Sequence, residues 1–346
     1  MTRVLAIVLA ATSDAAYSPC RFEVSESIEP FPDGDWGNYL KAAVQGMAIR
    51  YGATRGFDAL IESTVPVAAG RSSSSALVIA TALATAASND LTPDPIELAE
   101  LMAESEQYVG TRGGGMDQAI SAGAREGHAA RVEFDPLRIT PVPVPAEWRF
   151  VVAHTLVQAH KSGGAREAYN RRRSETEQAL AIIVGALGLP ADRVLSYRDL
   201  LHVVDPIRVL RQAPDHLNDD LLKRFRHVVS ESVRVQRAEV AMREGSLTGF
   251  GGLMNGSHES LRQDYEVSSP ELDRLVSLAR EAGAAGARLT GAGMGGCIVA
   301  LTTTDEAQGI ASHLAETFYA EREWDGPLDE HMFVAEPAEG ASVGPM

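Results

Sequence analysis

Residues 66–84 read PVAAGRSSSSALVIATALA, in which a glycine and four serines precede a long apolar run. Small apolar residues recur at helical spacing from Ala76 onward, which predicts a helix that begins among the serines. The first backbone amides of a helix have no partner within it and lie at the positive end of its dipole, so they bind anions. The stretch therefore predicts a phosphate-binding turn. The residues predicted to hold the phosphates are Gly70, Ser72, Ser73, Ser74 and Ser75.

The serine turn and a second glycine cluster can each be interpreted in more than one way. Serines also cap helices and fill loops, and no lysine completes a Walker A pattern here. The second cluster, LTGAGMGGCIVAL at residues 289–301, contains the spacing G-x-G-x-x-G. It opens a predicted strand and not a helix, which argues against a dinucleotide-binding fold. The glycines therefore favour a loop that approaches other backbone closely. Alternatively, the loop approaches the phosphate turn within an active-site cleft.

The composition narrows the class of protein. The chain has 346 residues, of which 45% are hydrophobic and 23% charged, as in folded globular proteins. A formal net charge of −16 argues against nucleic-acid or anionic membrane partners. No apolar run approaches the roughly 20 residues that span a bilayer. Cys20 and Cys297 are too few for a disulfide framework, so we expect a cytoplasmic protein.

The chain also shows a candidate domain boundary. The proline-rich stretch PLRITPVPVP ends at Pro145 and predicts an N-terminal lobe over residues 1–145 and a C-terminal lobe over residues 146–346. Helical patterns dominate the middle of the chain, and the final third returns to mixed strands and helices. The tail after Glu336, PAEGASVGPM, is expected to be disordered.

Taken in order, several stretches resemble motifs of the GHMP kinase superfamily, and specifically of its galactokinase branch. PVAAGRSSSSAL resembles the second superfamily motif, P-x-x-x-G-L-S-S-S-A, and RLTGAGMGGCIVAL resembles the third, R-[ML]-T-G-[GA]-G-F-G-G-C. Between them, VGTRGGGMDQAIS, AYNRRRSETEQA and LMNGSHESLRQDYEVSSPELD are similar to galactokinase segments. The matches extend from Trp36 through Leu301, which is most of the chain.

The resemblance implies a two-lobed α+β fold of the GHMP kinase type, with mixed sheets and an active site in the cleft between the lobes. It implies ATP and Mg2+ in that cleft and phosphorylation of a monosaccharide at its anomeric hydroxyl; it does not predict the oligomeric state. Asp117 matches the carboxylate that accepts the hydroxyl proton or orients the hydroxyl for attack on the γ-phosphoryl group. Tyr169 and Gly114 match residues that lie against the sugar. Nucleotide binding is implied for the turn described above and for Gly291, Gly293 and Gly295.

Each of these residues also has an ordinary alternative. An aspartate such as Asp117 in a glycine loop is typical of a turn, and a tyrosine such as Tyr169 is typical of an amphipathic helix. Arg172 and Arg173 are typical of a solvated helix face, where they pair with acidic residues one turn further on. The ordered set of motifs favours the functional interpretation.

The magnesium ligands are the least regular part of the resemblance. Relatives resembling A-E-[NH]-x-[FY]-V-G carry a magnesium-binding glutamate five residues before a glycine that corresponds to Gly110. The same count reaches Ser105 here, flanked by Glu104 and Glu106. One of these two carboxylates therefore reaches the metal only if the helix shifts its register by one residue, and Glu106 is the one that we predict. Ser74 is the second ligand that we predict.

Nothing in the sequence resembles the first superfamily motif, G-R-V-N-x-x-G-E-H-x-D-Y-N-x-G. That motif supplies an arginine beside the catalytic aspartate and three residues that bind sugar hydroxyls. Three hypotheses follow: the parent gene has an earlier start and encodes a working sugar kinase, the chain phosphorylates a different small alcohol, or it is a non-catalytic sensor of nucleotide or sugar. The upstream in-frame DNA tests the first hypothesis. Assays of ATP consumption distinguish the other two.

Overall fold

A computed structural model describes residues 6–63, 73–110, 114–134, 136–157, 164–324 and 326–344 of the protein. The chain divides into two compact units. The first comprises described residues up to Val142 together with those from Pro337 onward, and the second extends from Pro143 to Glu336. Both units combine strands with helices, which confirms the predicted α+β class.

The first unit is built around a three-stranded sheet of order β2-β1-β3, in which β1 runs antiparallel to β2 and parallel to β3. A separate hairpin pairs β4 with β5. The elements are β1 (Ile7–Thr12), β2 (Cys20–Glu23), α1 (Gly37–Tyr51), β3 (Asp58–Ile61), α2 (Ser73–Ser88), α3 (Pro95–Ser105), a 3₁₀ turn (Glu106–Val109), α4 (Met116–Gly123), β4 (His128–Glu133) and β5 (Arg138–Pro143).

Three helices of this unit share one core. Ala43 and Met47 of α1 pack with Val78 and Ile79 of α2 and with Met102 of α3, and none of these side chains is accessible to water. Full burial of a valine, isoleucine or methionine side chain stabilises a fold by about 1.5–3 kcal/mol. The core therefore fixes the start of α2 next to the end of α3.

The second unit contains a four-stranded antiparallel sheet of order β7-β8-β6-β9 and a group of long helices. Its elements are β6 (Trp148–His154), α5 (Gly164–Ala186), α6 (Tyr197–Val203), α7 (Pro206–Gln212), α8 (Asp219–Arg243), α9 (Leu247–Gln263), α10 (Pro270–Glu281), β7 (Gly286–Leu289), β8 (Cys297–Thr303), α11 (Thr304–Leu314) with a π-helical turn (Ala315–Tyr319), a 3₁₀ turn (Leu328–Glu330) and β9 (Met332–Ala335).

Two apolar clusters hold this unit together. One lies on the sheet, where Leu275 of α10, Ile298 of β8 and Ile310 of α11 are fully buried. The other lies among α5 to α8 and includes Ile183 and Phe225. Across the described ranges, no helix has both the length and the apolar character needed to cross a membrane.

The chain returns to the first unit at its C-terminal end. The amides of Gly340 and Ala341 donate to the carbonyls of Ala124 and Ser121 at 3.0 and 2.7 Å, at the end of α4. The prediction of disorder after Glu336 is therefore wrong for these residues. Small residues gave no hydrophobic signal in the sequence, yet their backbone groups satisfy unpaired groups at a helix end.

Candidate active site

The serine turn leads into a helix, as predicted. α2 begins at Ser73, with Ser74 in the same turn, and both side chains are half-buried. No acidic residue occupies the first turn of α2, so its positive end is not neutralised from within the helix. Gly70 and Ser72, which belong to the same predicted phosphate site, lie outside the described residues.

A buried carboxylate meets the first turn of α2. Ser75 is 3% exposed and donates its hydroxyl to Oε1 of Glu106 at 3.2 Å, and Glu106 is itself 5% exposed. Burial of a charged carboxylate is costly unless it is hydrogen-bonded or binds a cation. This pair joins two of the predicted site segments, the serine helix and the turn that follows α3.

The end of α3 explains why Glu106 and not Ser105 faces the serines. The α-helix stops at Ser105, and a 3₁₀ turn over Glu106–Val109 follows directly. A 3₁₀ turn advances by three residues per turn and an α-helix by 3.6, so the facing direction changes at this junction. Ser105 is turned back onto its own helix, where its hydroxyl donates to the carbonyl of Leu101 at 2.7 Å.

The charge of Glu106 affects the ionisation of Tyr39 on α1. Burial, and after it the Glu106 charge, raise the pKa of the Tyr39 hydroxyl on α1. The described residues hold no group of three or more His, Cys, Asp or Glu side chains arranged to bind a metal ion. A magnesium ion needs fewer protein ligands, because it is usually held by one or two carboxylates with phosphate oxygens and water. The oxygen donors of Glu106 and the serines fit that chemistry.

Asp117 lies in the first turn of α4 and is half-buried. Gly115 precedes the helix with φ 78°, a left-handed conformation, and a Cβ there would come within 3.2 Å of Ala103 on α3. Glycine thus lets the start of α4 lie close to α3. The backbone amides and dipole at a helix start stabilise a carboxylate. Asp117 therefore lies partly exposed at a defined position at the start of α4.

The two residues predicted to contact the sugar are described to different extents. Gly114 is exposed, and a Cβ there would meet no described atom within 4 Å. Tyr169 belongs to the first turns of α5. The position of its side chain lies outside what the structure describes.

The second glycine cluster forms a loop between β7 and β8, as predicted. Its residues take left-handed backbone conformations, with φ of 77°, 78° and 120° at Gly291, Gly293 and Gly295. Gly291 is exposed, whereas Gly293 and Gly295 are buried. A Cβ at Gly293 would lie 2.1 Å from the carbonyl oxygen of Val267, and one at Gly295 would lie 2.7 Å from that of Val157. Close approach of backbone to backbone therefore requires glycine at both buried positions.

Arg172 and Arg173 differ in exposure and in partners, although the sequence placed both on a solvated helix face. Arg173 pairs with Glu177 one turn along α5 at 3.2 Å, and its side chain is 47% exposed. Arg172 is 12% exposed, and its Nε donates to the carbonyl of Tyr265 at 3.0 Å. The solvated-face interpretation is thus correct for Arg173 and wrong for Arg172. The partner of Arg172 lies too far along the sequence for a local pattern to reveal it.

Two family models match the chain. GHMP kinases N terminal domain matches residues 38–124, and GHMP kinases C terminal matches residues 238–320. The first range contains the serine turn, Glu106 and Asp117, and the second contains the glycine loop.

Similar proteins of known class agree with these matches. A galactokinase from Chloroflexus aurantiacus is 37% identical over 289 residues, which cover 82% of this chain and 70% of the relative. The crystal structure of Lactococcus lactis galactokinase complexed with galactose matches with a TM-score of 0.85 and 27% identity, over 98% of this chain and 84% of that one. The Methanococcus jannaschii mevalonate kinase structure matches with a TM-score of 0.57 and 17% identity over 95% and 83%, a likeness of fold alone.

These matches define the class of protein as GHMP kinase. Within that class the chain belongs to the galactokinase family. The predicted family is confirmed, and the reaction class is ATP-dependent phosphorylation of a sugar.

Proposed function

We propose that this protein transfers the γ-phosphoryl group of ATP to the anomeric hydroxyl of galactose or of a closely related monosaccharide. The observation that carries the proposal is the Glu106–Ser75 pair at the start of α2, together with Asp117 in the first turn of α4. The family relationship supports the sugar class. Galactose is the sugar in the related Lactococcus lactis complex.

Asp117 is the proposed general base. Its carboxylate takes the proton of the anomeric hydroxyl, the hydroxyl oxygen forms a bond to the γ-phosphorus, and the bond from that phosphorus to the β–γ bridging oxygen breaks to release ADP. Asp117 is half-buried, so part of the residue remains accessible to a substrate. Gly114 and Tyr169 are the proposed sugar contacts.

The nucleotide is proposed to bind at both glycine-containing segments. The amides and hydroxyls of the serine turn would hold its phosphates; these residues are Gly70, Ser72, Ser73, Ser74 and Ser75. Gly291 is the exposed member of the glycine loop and would lie against the nucleotide, with Gly293 and Gly295 holding the loop in shape.

Glu106 and Ser74 are the proposed magnesium ligands, and the Ser75 hydroxyl orients the Glu106 carboxylate. When bound there, the ion supplies positive charge that offsets the negative charge on the phosphate oxygens. We further propose a cytoplasmic location, which is supported by two buried cysteines, Cys20 and Cys297, that form no disulfide.

The proposal is tested by measuring ADP release with galactose, N-acetylgalactosamine, arabinose, glucuronate and mevalonate as acceptors. We expect turnover with galactose or one of the other sugars, and phosphorus NMR of the product should show a phosphate on the anomeric carbon. Binding of ATP and galactose with no turnover of any acceptor would contradict the proposal and support the sensor hypothesis. Turnover of mevalonate in preference to the sugars would contradict it in favour of a different small alcohol.

A further inference from the structure

A short segment of the second unit lies between its glycine loop and its longest helices. Residues 264–267 are the first part of the connection between α9, which ends at Gln263, and α10, which begins at Pro270. The carbonyl of Val267 accepts a hydrogen bond from the amide of Met294 at 2.7 Å, and Gly293 packs against the same carbonyl. The 264–267 segment therefore supports one side of the glycine loop, at Gly293 and Met294.

A buried arginine holds the 264–267 segment on α8. The side chain of Arg224 is 2% exposed, and its guanidinium donates to the carbonyl of Asp264 and, at 2.7 Å, to the carboxylate of Glu266. Lys223 donates to the other Glu266 oxygen at 2.8 Å. The Nε of Arg224 donates to Glu175 on α5 at 2.8 Å. One guanidinium thus binds the segment and α5 together.

A second arginine holds the same segment from α5. Besides its bond to Tyr265, Arg172 donates to the carbonyl of Glu266 at 3.4 Å. Tyr169 lies three residues earlier on α5, which is about one helical turn. Arg172 therefore anchors the part of α5 that carries the proposed sugar contact.

The backbone of the segment is held in an unfavourable conformation. Glu266 has φ 55°, a left-handed value that a glutamate rarely adopts. Such a conformation persists only where surrounding contacts determine it. Hydrogen bonds from Lys223 and Arg224 lower the pKa of Glu266 to about 2, so its carboxylate is charged at neutral pH and both of its oxygens are bound.

We propose that Arg172 and Arg224 are positioning residues of the phosphoryl transfer: by clamping the 264–267 segment they set the glycine loop in register with the first turns of α5. The proposal rests on the proposed function, because it takes the loop to bind nucleotide and α5 to bind sugar. Neither arginine needs to touch a substrate. A displacement of about 1 Å between reacting groups costs on the order of a hundredfold in rate.

The test replaces Arg172 by methionine and compares Arg173→Met, the adjacent residue of α5, whose described ion pair is with Glu177 on the same helix. Hydrogen–deuterium exchange reports on the loop without reference to activity. We expect faster exchange in residues 290–296 of Arg172→Met and unchanged exchange in β8. We also expect kcat to fall about tenfold to a hundredfold, because positioning acts on the transition state, with a smaller rise in the KM for ATP, because the loosened loop also contacts the nucleotide. Arg173→Met should resemble the wild type in each measurement.

Several results would overturn the proposal. Equal exchange in the two variants would show that Arg172 does not hold the loop, and faster exchange throughout the second unit would show a general loss of stability. Faster exchange in the loop with an unchanged kcat would show that Arg172 supports the structure but does not position groups for phosphoryl transfer. Arg224→Lys provides a second variant, because a lysine keeps the charge and part of the donor set, and it should show a smaller effect on the loop than Arg224→Met. Failure of the wild type to phosphorylate any sugar would overturn the proposed function, while the exchange results would still test the clamp.

Discussion

Replacement of Gly293 by alanine tests how the glycine loop is built. Two costs are expected. A left-handed conformation, φ 78° here, costs an L-residue about 1–2 kcal/mol. The new Cβ would also lie 2.1 Å from the carbonyl oxygen and 2.9 Å from the Cβ of Val267. Overpacking of this kind costs about 1–3 kcal/mol. We therefore expect Gly293→Ala to destabilise the protein by about 2–5 kcal/mol.

Gly245→Ala is the matched control. Gly245 lies in the same unit with φ 66°, and a Cβ there would meet no described atom within 4 Å. Its substitution should therefore cost only the backbone term of about 1–2 kcal/mol. For a unit of this size, 1 kcal/mol corresponds to about 2–4 °C in melting temperature. The steric term alone should then place Gly293→Ala about 2–12 °C below the control.

Differential scanning calorimetry of the two variants measures this difference, provided that unfolding is reversible. A clear gap between them supports the close approach of Gly293 to Val267. Equal melting temperatures would refute the reasoning, because they would show that only the backbone conformation, and no contact with Val267, requires glycine at residue 293.

Three further outcomes follow from the structure. Glu106→Gln should lower kcat about tenfold or more and raise the Mg2+ concentration needed for half-maximal activity. Glu104 is an exposed neighbour, so Glu104→Gln should leave both quantities unchanged. A magnesium titration of each variant measures this, and an equal effect of the two substitutions would contradict the role of Glu106. Burial lowers the pKa of His227 to about 4. In the unfolded chain this histidine takes up a proton below about pH 6.5, whereas in the folded protein it does so only near pH 4. The free energy of unfolding should therefore fall by about 2 kcal/mol between pH 7 and pH 4.5 in excess of its fall in His227→Gln, as measured by urea denaturation; parallel curves would contradict this. Truncation after Glu336 removes the two backbone hydrogen bonds at the end of α4. It should lower the free energy of unfolding by about 1–3 kcal/mol and speed hydrogen–deuterium exchange in α4. Unchanged exchange in α4 would show that the tail does not support the helix.

Local chemistry made much of the fold predictable. The serines open α2 and the glycine cluster forms a loop before a strand, because helix starts and left-handed backbone depend on a few adjacent residues. The family motifs lie at just such positions, so the class of protein could be recognised from the sequence.

Features that depend on register or on distant partners could not be predicted. Counting back from Gly110 reached Ser105, because the count assumed one continuous helix and the chain changes to a 3₁₀ turn at Glu106. Arg172 looked like part of a solvated face, because its partners lie on a segment more than 90 residues further along. Arg224 carried no local signal of burial, since arginine is buried only where acidic and carbonyl partners surround it.

The most direct test of the central claim is the behaviour of Asp117→Asn in two measurements. Asparagine keeps the size of the side chain and removes its ability to accept the hydroxyl proton. The account predicts that kcat for the sugar falls by about 10²–10⁴-fold, while the dissociation constant for ATP, measured by calorimetry, stays within about twofold of the wild type. A variant that retains most of its kcat would contradict the assignment of Asp117 as the general base.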